Sequence, residues 1–481
     1  MAFSGGFGAS PITSSGGFGA AATPGGFGAA PGGFASPATG GAFGASAATP
    51  GGSMFGQPAA GGGFGAAKPF GSTGVTGFGA PSTATTGGFG QPAATGGFGV
   101  GAQQQQGSSQ PMKIMNHNRE DYEVPTPFQD HDSISSVCWG PNGLLASAGW
   151  DKRVCVYQVQ HQKSSWSSSI NASIKAFITH GGPVLDVSFK NDGTGCFSAG
   201  SDGVVKWWQF NPSGGQQQQG QDIGRHNGPV KACRWIPEVN MVATAGFDKM
   251  LKYWDVRSPN PALQVQLPER CYAMDARHPY LIVALGASGN TAVDRKVIAY
   301  NLQNPQQPFY QMDTMKNPLK FQNRCISLLP DKSGFALGTI EGRVTVQYFN
   351  PSVKPLTFKC HRDKTKKWIY SVNSIAFHTK YLTFSTAGAD GYYNFWDKDS
   401  KTRLKQSAKV LYGPPAASVS NSNGTQPASI TSSQFDPSGE LFAYSVGYDW
   451  TKGMPPNFNP AAIKSSIYIR PVKDADIKPK R

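Results

Sequence analysis

From about residue 120 onward the chain consists of short runs of Val, Ile, Phe, Tyr and Trp separated by turn residues. That alternation predicts strands and an all-β body. A unit recurs within it. Ser147, Ser198, Thr244 and Thr386 each stand four residues before an Asp (Asp151, Asp202, Asp248, Asp390). Six residues after each Asp comes an aromatic: Tyr157, Trp208, Trp254 or Trp396. A His lies upstream each time: His131, His180, His226 and His361. Further aromatic strand ends fall at Tyr300, Tyr348 and Tyr468, so the steps from Tyr157 are 51, 46, 46, 48, 48 and then 72 residues.

A period of 40–50 residues with a closing Trp-Asp (254–255, 396–397) is the WD-repeat signature. Each unit is expected to be a four-stranded sheet with its Asp in the turn between the second and third strands. There the Asp accepts from the His, which is also held by the Ser or Thr and the aromatic. Such a buried relay is tolerated only when fully satisfied. Its repetition makes these pairs struts of a propeller rather than catalytic dyads. Seven blades are expected, at roughly 130–160, 180–211, 226–257, 267–303, 316–350, 361–411 and 426–470, without the relay in the fourth, fifth and seventh. Residues 111–129 are expected to link into the ring, with 120–124 adding a strand to the last blade and removing open edges. Residues 414–427 are expected to be a loop.

Residues 1–110 follow another rule. They hold 33 of the 60 Gly, 12 of the 29 Phe, one Lys (Lys68) and no acid. Phe-Gly occurs ten times, six of them as Gly-Gly-Phe-Gly. One Phe in roughly ten residues builds no core, and Gly is costly to order, so a disordered tail is expected. Spaced Phe side chains suit weak multivalent contacts. The remaining charges, 42 basic and 28 acidic, lie in residues 111–481 and favour acidic partners.

Several classes drop out. No run reaches the roughly 18 apolar residues of a membrane helix, so no membrane insertion is expected. The first 30 residues do not read as a signal peptide. Seven scattered cysteines without a C-x-x-C pair read as reduced core residues, with neither metal nor cofactor. There is no G-x-S-x-G, glycine-rich phosphate loop or unrepeated carboxylate pair, so no enzyme is expected.

Six segments carry a resemblance: Leu267–Tyr272, Gly334–Val344, Phe358–Arg362, Val372–His378, Phe395–Asp399 and Tyr448–Gly453. Over about 120–472 the chain resembles the messenger-RNA export factor family of nuclear-pore WD-repeat proteins. A sister family, the mitotic spindle-checkpoint WD-repeat module, matches less well over Trp396–Asp399 and Tyr448–Trp450 and is the alternative. The tail resembles nucleoporin FG repeats, which the familiar export factors lack. The resemblance implies a nuclear, pore-associated adaptor for messenger-RNA export. Its partners would be the GLEBS hairpin of a GLFG nucleoporin, RNA, and transport receptors through the FG repeats. The propeller itself is expected to be monomeric.

Candidate contacts follow. Lys359, Arg362, Lys364, Lys366 and Lys367, with Trp368 and Tyr370, interleave cations and aromatics as single-stranded RNA requires. Lys398, Lys401, Arg403 and Lys405 form a second group beyond Trp396, expected on the opposite face; the resemblance favours Trp396, Lys398 and Lys401 as an RNA-proximal rim. Relatives commonly place Ala-Arg where this chain has Ser400-Lys401, so the planar fork is lost. For the acidic GLEBS hairpin the candidates are Arg270, Arg324 and Arg343, since Arg grips carboxylates in two-point geometry. Residues 164–169, serine except for Trp166, and glutamines 216–219 are expected to enlarge loops, and residues 473–481 form a basic C-terminal end.

Overall fold

A computed structural model describes residues 113–128, 132–164, 168–211, 215–287, 295–312, 317–413, 425–448, 450 and 464–480. The tail of residues 1–112 and the relay residue His131 lie outside the described residues.

Seven four-stranded antiparallel sheets follow one another along the chain. Blade 1 comprises Ile134–Trp139, Leu144–Gly149, Arg153–Lys163 and Ser168–Thr179. Blade 2 comprises Val184–Phe189, Gly195–Gly200, Val204–Gln209 and Gln221–Arg225. Blade 3 comprises Val230–Ile236, Met241–Gly246, Met250–Trp254 and Leu263–Gln266. Blade 4 comprises Cys271–Arg277, Tyr280–Leu285, Val297–Asn301 and Asn304–Met312. Blade 5 comprises Asn323–Leu328, Gly334–Thr339, Arg343–Tyr348 and Leu356–Lys359. Blade 6 comprises Val372–Phe377, Phe384–Gly388, Tyr393–Asp397 and Thr402–Gln406. Blade 7 takes Ser429–Phe435, Leu441–Gly447 and Ser466–Pro471 from the C-terminal end and Tyr122–Glu123 as its outer strand.

The first strand of each blade packs against the first strand of the next, and blade 7 against blade 1, so the ring is closed. Seven apolar clusters fill the seven gaps between neighbours. The core is therefore divided among blade interfaces, and sheet packing rather than one central mass excludes water.

Outer strands extend beyond several of the ranges read from the sequence. Ser168–Thr179 and Leu263–Gln266 fall in gaps between expected blades. The reason is chemical. Leu263–Gln266 and Leu356–Lys359 alternate half-buried with exposed residues, so their apolar signal is weak. Serines 168 and 169 belong to a long hairpin, while Ser164 ends before residues 165–167, which lie outside the described residues. Gln216 and Gln218 make backbone bonds to Phe177 of 2.7 and 2.9 Å, so this glutamine segment leans on blade 1.

Two small sheets are additional to the blades. Lys113–Asn116 pairs with Val410–Gly413, which pairs with Gln426–Pro427. Part of the expected 414–427 loop is thus strand, and residues 414–424 lie outside the described residues. Arg362–Asp363 pairs with Trp368–Ile369 as a hairpin ahead of blade 6.

Where the chain ends meet, charge is concentrated. Arg470 Nη1 lies 3.2 Å from Asp121, and its Nη2 lies 3.2 Å from Glu120 and 3.1 Å from Asp476. Asn116 Nδ2 donates to the Tyr444 hydroxyl at 2.7 Å, and that hydroxyl donates to Asp121. Burial raises the Asp121 carboxyl, against the pull of Tyr444 and Arg470.

Candidate functional site

First and third strands of a blade run the same way. The face at which they begin is called upper here; it also carries the turn between the second and third strands. The opposite face is lower.

The relay sits on the upper face. In blade 3, His226 Nδ1 is 3.0 Å from both Asp248 oxygens, and its Nε2 is 2.8 Å from Thr244 Oγ1. Trp254 donates to the same hydroxyl at 2.7 Å. Blade 6 repeats this: His361 to Asp390 at 2.8 Å and to Thr386 at 2.9 Å, with Trp396 donating to Thr386 at 2.9 Å. Blade 2 is looser. His180 reaches Ser198 at 2.8 Å but Asp202 only at 3.5 Å, and the buried Trp208 indole has no hydrogen-bond partner among the described residues. Burial pushes His180 down to about 4 against the attraction of Asp202, and lowers His226 against Asp248. These imidazoles are neutral struts. In blade 1, Ser147 and Tyr157 are buried and Asp151 accepts from the Arg153 amide at 3.1 Å. A glycine two residues before each Asp makes room: a Cβ on Gly388 would lie 2.4 Å from His361 Nδ1.

The GLEBS candidates all map to the upper face. Arg270 immediately precedes blade 4 and donates to the buried Glu269 at 3.1 Å, which also takes Lys249 at 2.9 Å. Arg343 begins the third strand of blade 5, with Nε 3.4 Å from Glu341. Arg324 lies in the channel mouth, 3.3 Å from Asn373 Oδ1.

Arg324 belongs to a set that the repeat search does not single out. Every first strand carries a register shift near its start, at the second residue in blades 1 to 6 (Ser135, Leu185, Lys231, Tyr272, Arg324 and Asn373) and at the third, Thr431, in blade 7. All seven line a channel cavity of about 440 Å³. A bulge re-aims its extra residue, here toward the axis. Nearby, Arg234 joins Asp186 at 2.5 Å and Asp275 at 3.5 Å. Burial lowers the Lys231 ammonium, partly offset by Asp186. Aligning the blades on the bulged residue near each first-strand start would have exposed this ring.

The basic residues around blade 6 divide between faces. Lys359, Arg362, Lys364, Lys366 and Lys367 lie on the upper side, in or beside the extra hairpin. Arg362 is anchored to blade 5, donating to the Glu341 carbonyl at 2.7 Å. Lys366 stands 4.9 Å from the centre of the Trp368 ring, which is 47% exposed. Tyr370 is buried at the hairpin's base and bonds back to the His361 carbonyl at 3.0 Å.

The lower side carries Lys398, Lys401 and Arg403, in and after the turn that ends the third strand. Lys398 is only 9% exposed and donates to Asp399 at 2.7 Å. Burial opposes its charge, but the Asp399 bond outweighs it and the ammonium is raised. Trp396 is committed to Thr386 and packs 4.6 Å from the Phe358 ring. Lys405 pairs with Asp476 at 3.0 Å. Lys401 and Arg403 remain the exposed cations of this rim.

Among the described residues no cluster of His, Cys, Asp and Glu could hold a metal, and no helix is long and apolar enough to cross a membrane. All seven cysteines are free thiols, and burial pushes Cys155, Cys271 and Cys325 up to about 12.

The WD domain, G-beta repeat family matches residues 123–158, 171–209 and 217–255. Protein Rae1 of Drosophila melanogaster is 38% identical over 389 residues, covering 78% of this chain and 99% of that protein. Protein RAE1 of Arabidopsis thaliana is 41% identical over 374 residues, covering 77% and 96%. The Poly(A)+ RNA export protein of Schizosaccharomyces pombe is 38% identical over 370 residues, covering 75% and 93%.

Proposed function

Since the chain belongs to the WD-repeat family of messenger-RNA export factors, we propose that it acts at the nuclear pore as an adaptor between a nucleoporin and exported RNA. The chain is a propeller adaptor and not an enzyme. The observation that carries the reading is similarity along 93% and 97% of the length of relatives named Poly(A)+ RNA export protein and mRNA export factor. The finer reading has three parts. An acidic GLEBS hairpin docks on the upper face through Arg270 ahead of blade 4, Arg324 at the channel mouth and Arg343 in blade 5. RNA engages cations of blade 6. The ten Phe-Gly units of the tail, which hold a single charge at Lys68, contact transport receptors through spaced phenyl rings.

Two measurements test it. Depleting the protein in its own cells should trap polyadenylated RNA in the nucleus, with the protein itself at the nuclear rim. Calorimetry of the full-length chain with a GLEBS-type hairpin peptide should give one-to-one binding. Normal RNA distribution after depletion defeats the export role. Absence of peptide binding defeats the docking surface alone and would leave the FG tail as the route to the pore.

A further inference from the structure

The channel cavity of about 440 Å³ carries a charge imbalance that the relay does not explain. Its lining holds four cations, Lys231, Arg234, Arg277 and Arg324, against two carboxylates, Asp186 and Asp275. Both carboxylates are already committed. Asp186 accepts from the Ser136 hydroxyl at 2.8 Å, the Cys233 amide at 3.0 Å and Arg234 at 2.5 Å. Asp275 accepts from the Leu328 amide at 2.8 Å and lies 3.5 Å from Arg234 Nε. Arg277 ends its strand at the lower mouth. The excess positive charge therefore sits in the ring of bulged residues, on Lys231 and Arg324.

These two cations stand in blades 3 and 5, on either side of Tyr272 in blade 4. Neither forms a salt bridge among the described residues; Arg324 Nε donates to the neutral Asn373 Oδ1 at 3.3 Å. Burial lowers the Lys231 ammonium; Asp186 opposes this and Arg324 adds to it, so the two cations share one field. Half-enclosed like charges without a counter-ion are costly, because poor solvation strengthens their repulsion. Each is carried on a strand bulge that is paired on both sides. An anion arriving between them meets donors already in place and loses little to reorganisation.

Volume and charge together select the ligand. The cavity is in the range of small-ligand sites, and first strands from all seven blades line it, so it suits a compact solute rather than a polymer. Two unpaired positive charges match a dianion and leave a monocarboxylate half-paired. Arg presents a planar fork to phosphate oxygens, and Lys adds a point charge. We propose that the channel mouth binds a compact phosphate dianion between Lys231 and Arg324, either as the free ion or as the phosphoryl group of a small metabolite. This goes beyond the adaptor reading. It gives Arg324 a second ligand, so a seated phosphate and an acidic hairpin compete for that guanidinium.

The test is calorimetry of the full-length protein in phosphate-free buffer at physiological salt, titrated with inorganic phosphate and, separately, with glycerol 3-phosphate. Saturable one-to-one binding is expected, and the tighter of the two ligands identifies the source of the phosphoryl group. Lys231→Met and Arg324→Met should each weaken binding at least about tenfold, as loss of one charge-assisted contact requires. Lys175→Met with Lys354→Met, both exposed and outside the channel, should change affinity less than about twofold, because salt screens distant charges. Lys231→Met replaces a half-buried cation by an apolar side chain of similar length, and an unchanged melting temperature verifies its fold. Saturating phosphate should also weaken binding of the acidic hairpin peptide, and Lys231→Met should remove that competition. Absence of saturable binding by either anion overturns the site, as does equal weakening by the Lys175/Lys354 pair. Loss of peptide binding with anion binding intact defeats the docking reading and leaves this one standing.

Discussion

At the residue scale, the relay shows how one sequence pattern yields different energetics. Ser147/Asp151, Ser198/Asp202, Thr244/Asp248 and Thr386/Asp390 look equivalent in the chain. In blades 3 and 6 the hydroxyl satisfies both imidazole and indole, whereas in blade 2 it satisfies only His180. Removing it should therefore cost more where two buried donors or acceptors are orphaned. Thr244→Val should destabilise the propeller by about 2–4 kcal/mol and Ser198→Ala by about 1–2 kcal/mol. Urea unfolding of the two variants against wild type measures the difference; equal losses would mean the indole bond contributes nothing net. Residue types and spacing identified these struts. They could not give the 3.5 Å His180–Asp202 separation, which is a matter of packing and not of residue type.

At the scale of elements, strands with inward apolar residues were legible, and the outer, half-exposed ones were not. The short strand Tyr122–Glu123, expected within 120–124, is the exception: Tyr122 packs against the cluster between blades 7 and 1, and the strand closes blade 7. Its hold comes from charge as well as from pairing. Arg470 bridges Glu120 and Asp121, upstream of this strand, to Asp476 in the helical turn Asp474–Ile477. Arg470→Met should leave Asp121 and Asp476 buried without their shared cation, costing about 3–5 kcal/mol. Hydrogen exchange should then rise first in blade 7 and the strand Lys113–Asn116. Uniform loosening of all blades would show that closure does not depend on this cation. The hairpin at 362–369 was visible only as a basic run. That it is a hairpin depends on Asp363 capping its turn and on Lys367 taking positive φ, neither of which periodicity reports.

At the scale of the molecule, the question is whether two basic surfaces on one propeller act as one. Sequence order joins Lys359–Lys367 to Lys398–Arg403, but the third strand of blade 6, Tyr393–Asp397, separates the faces. Five strand residues span roughly 17 Å at about 3.3 Å each. That is twice the Debye length of about 8 Å at physiological salt. Charges on the two faces should therefore be felt separately by a bound partner. Arg270→Glu with Arg343→Glu should weaken binding of an acidic hairpin peptide by at least about tenfold, since attraction becomes repulsion at desolvated contacts. Lys401→Glu with Arg403→Glu should change the same affinity by less than about twofold. Combining all four should give the sum of the two free-energy changes within about 0.5 kcal/mol, as expected for sites without shared contacts. Calorimetry at physiological salt supplies all three numbers. A combined effect well beyond the sum would mean that the faces communicate through the ring, and the rigid division of labour argued from strand direction would have to be abandoned. Agreement with the sum would show that the acidic peptide's site on the upper face is independent of the charge on the lower rim.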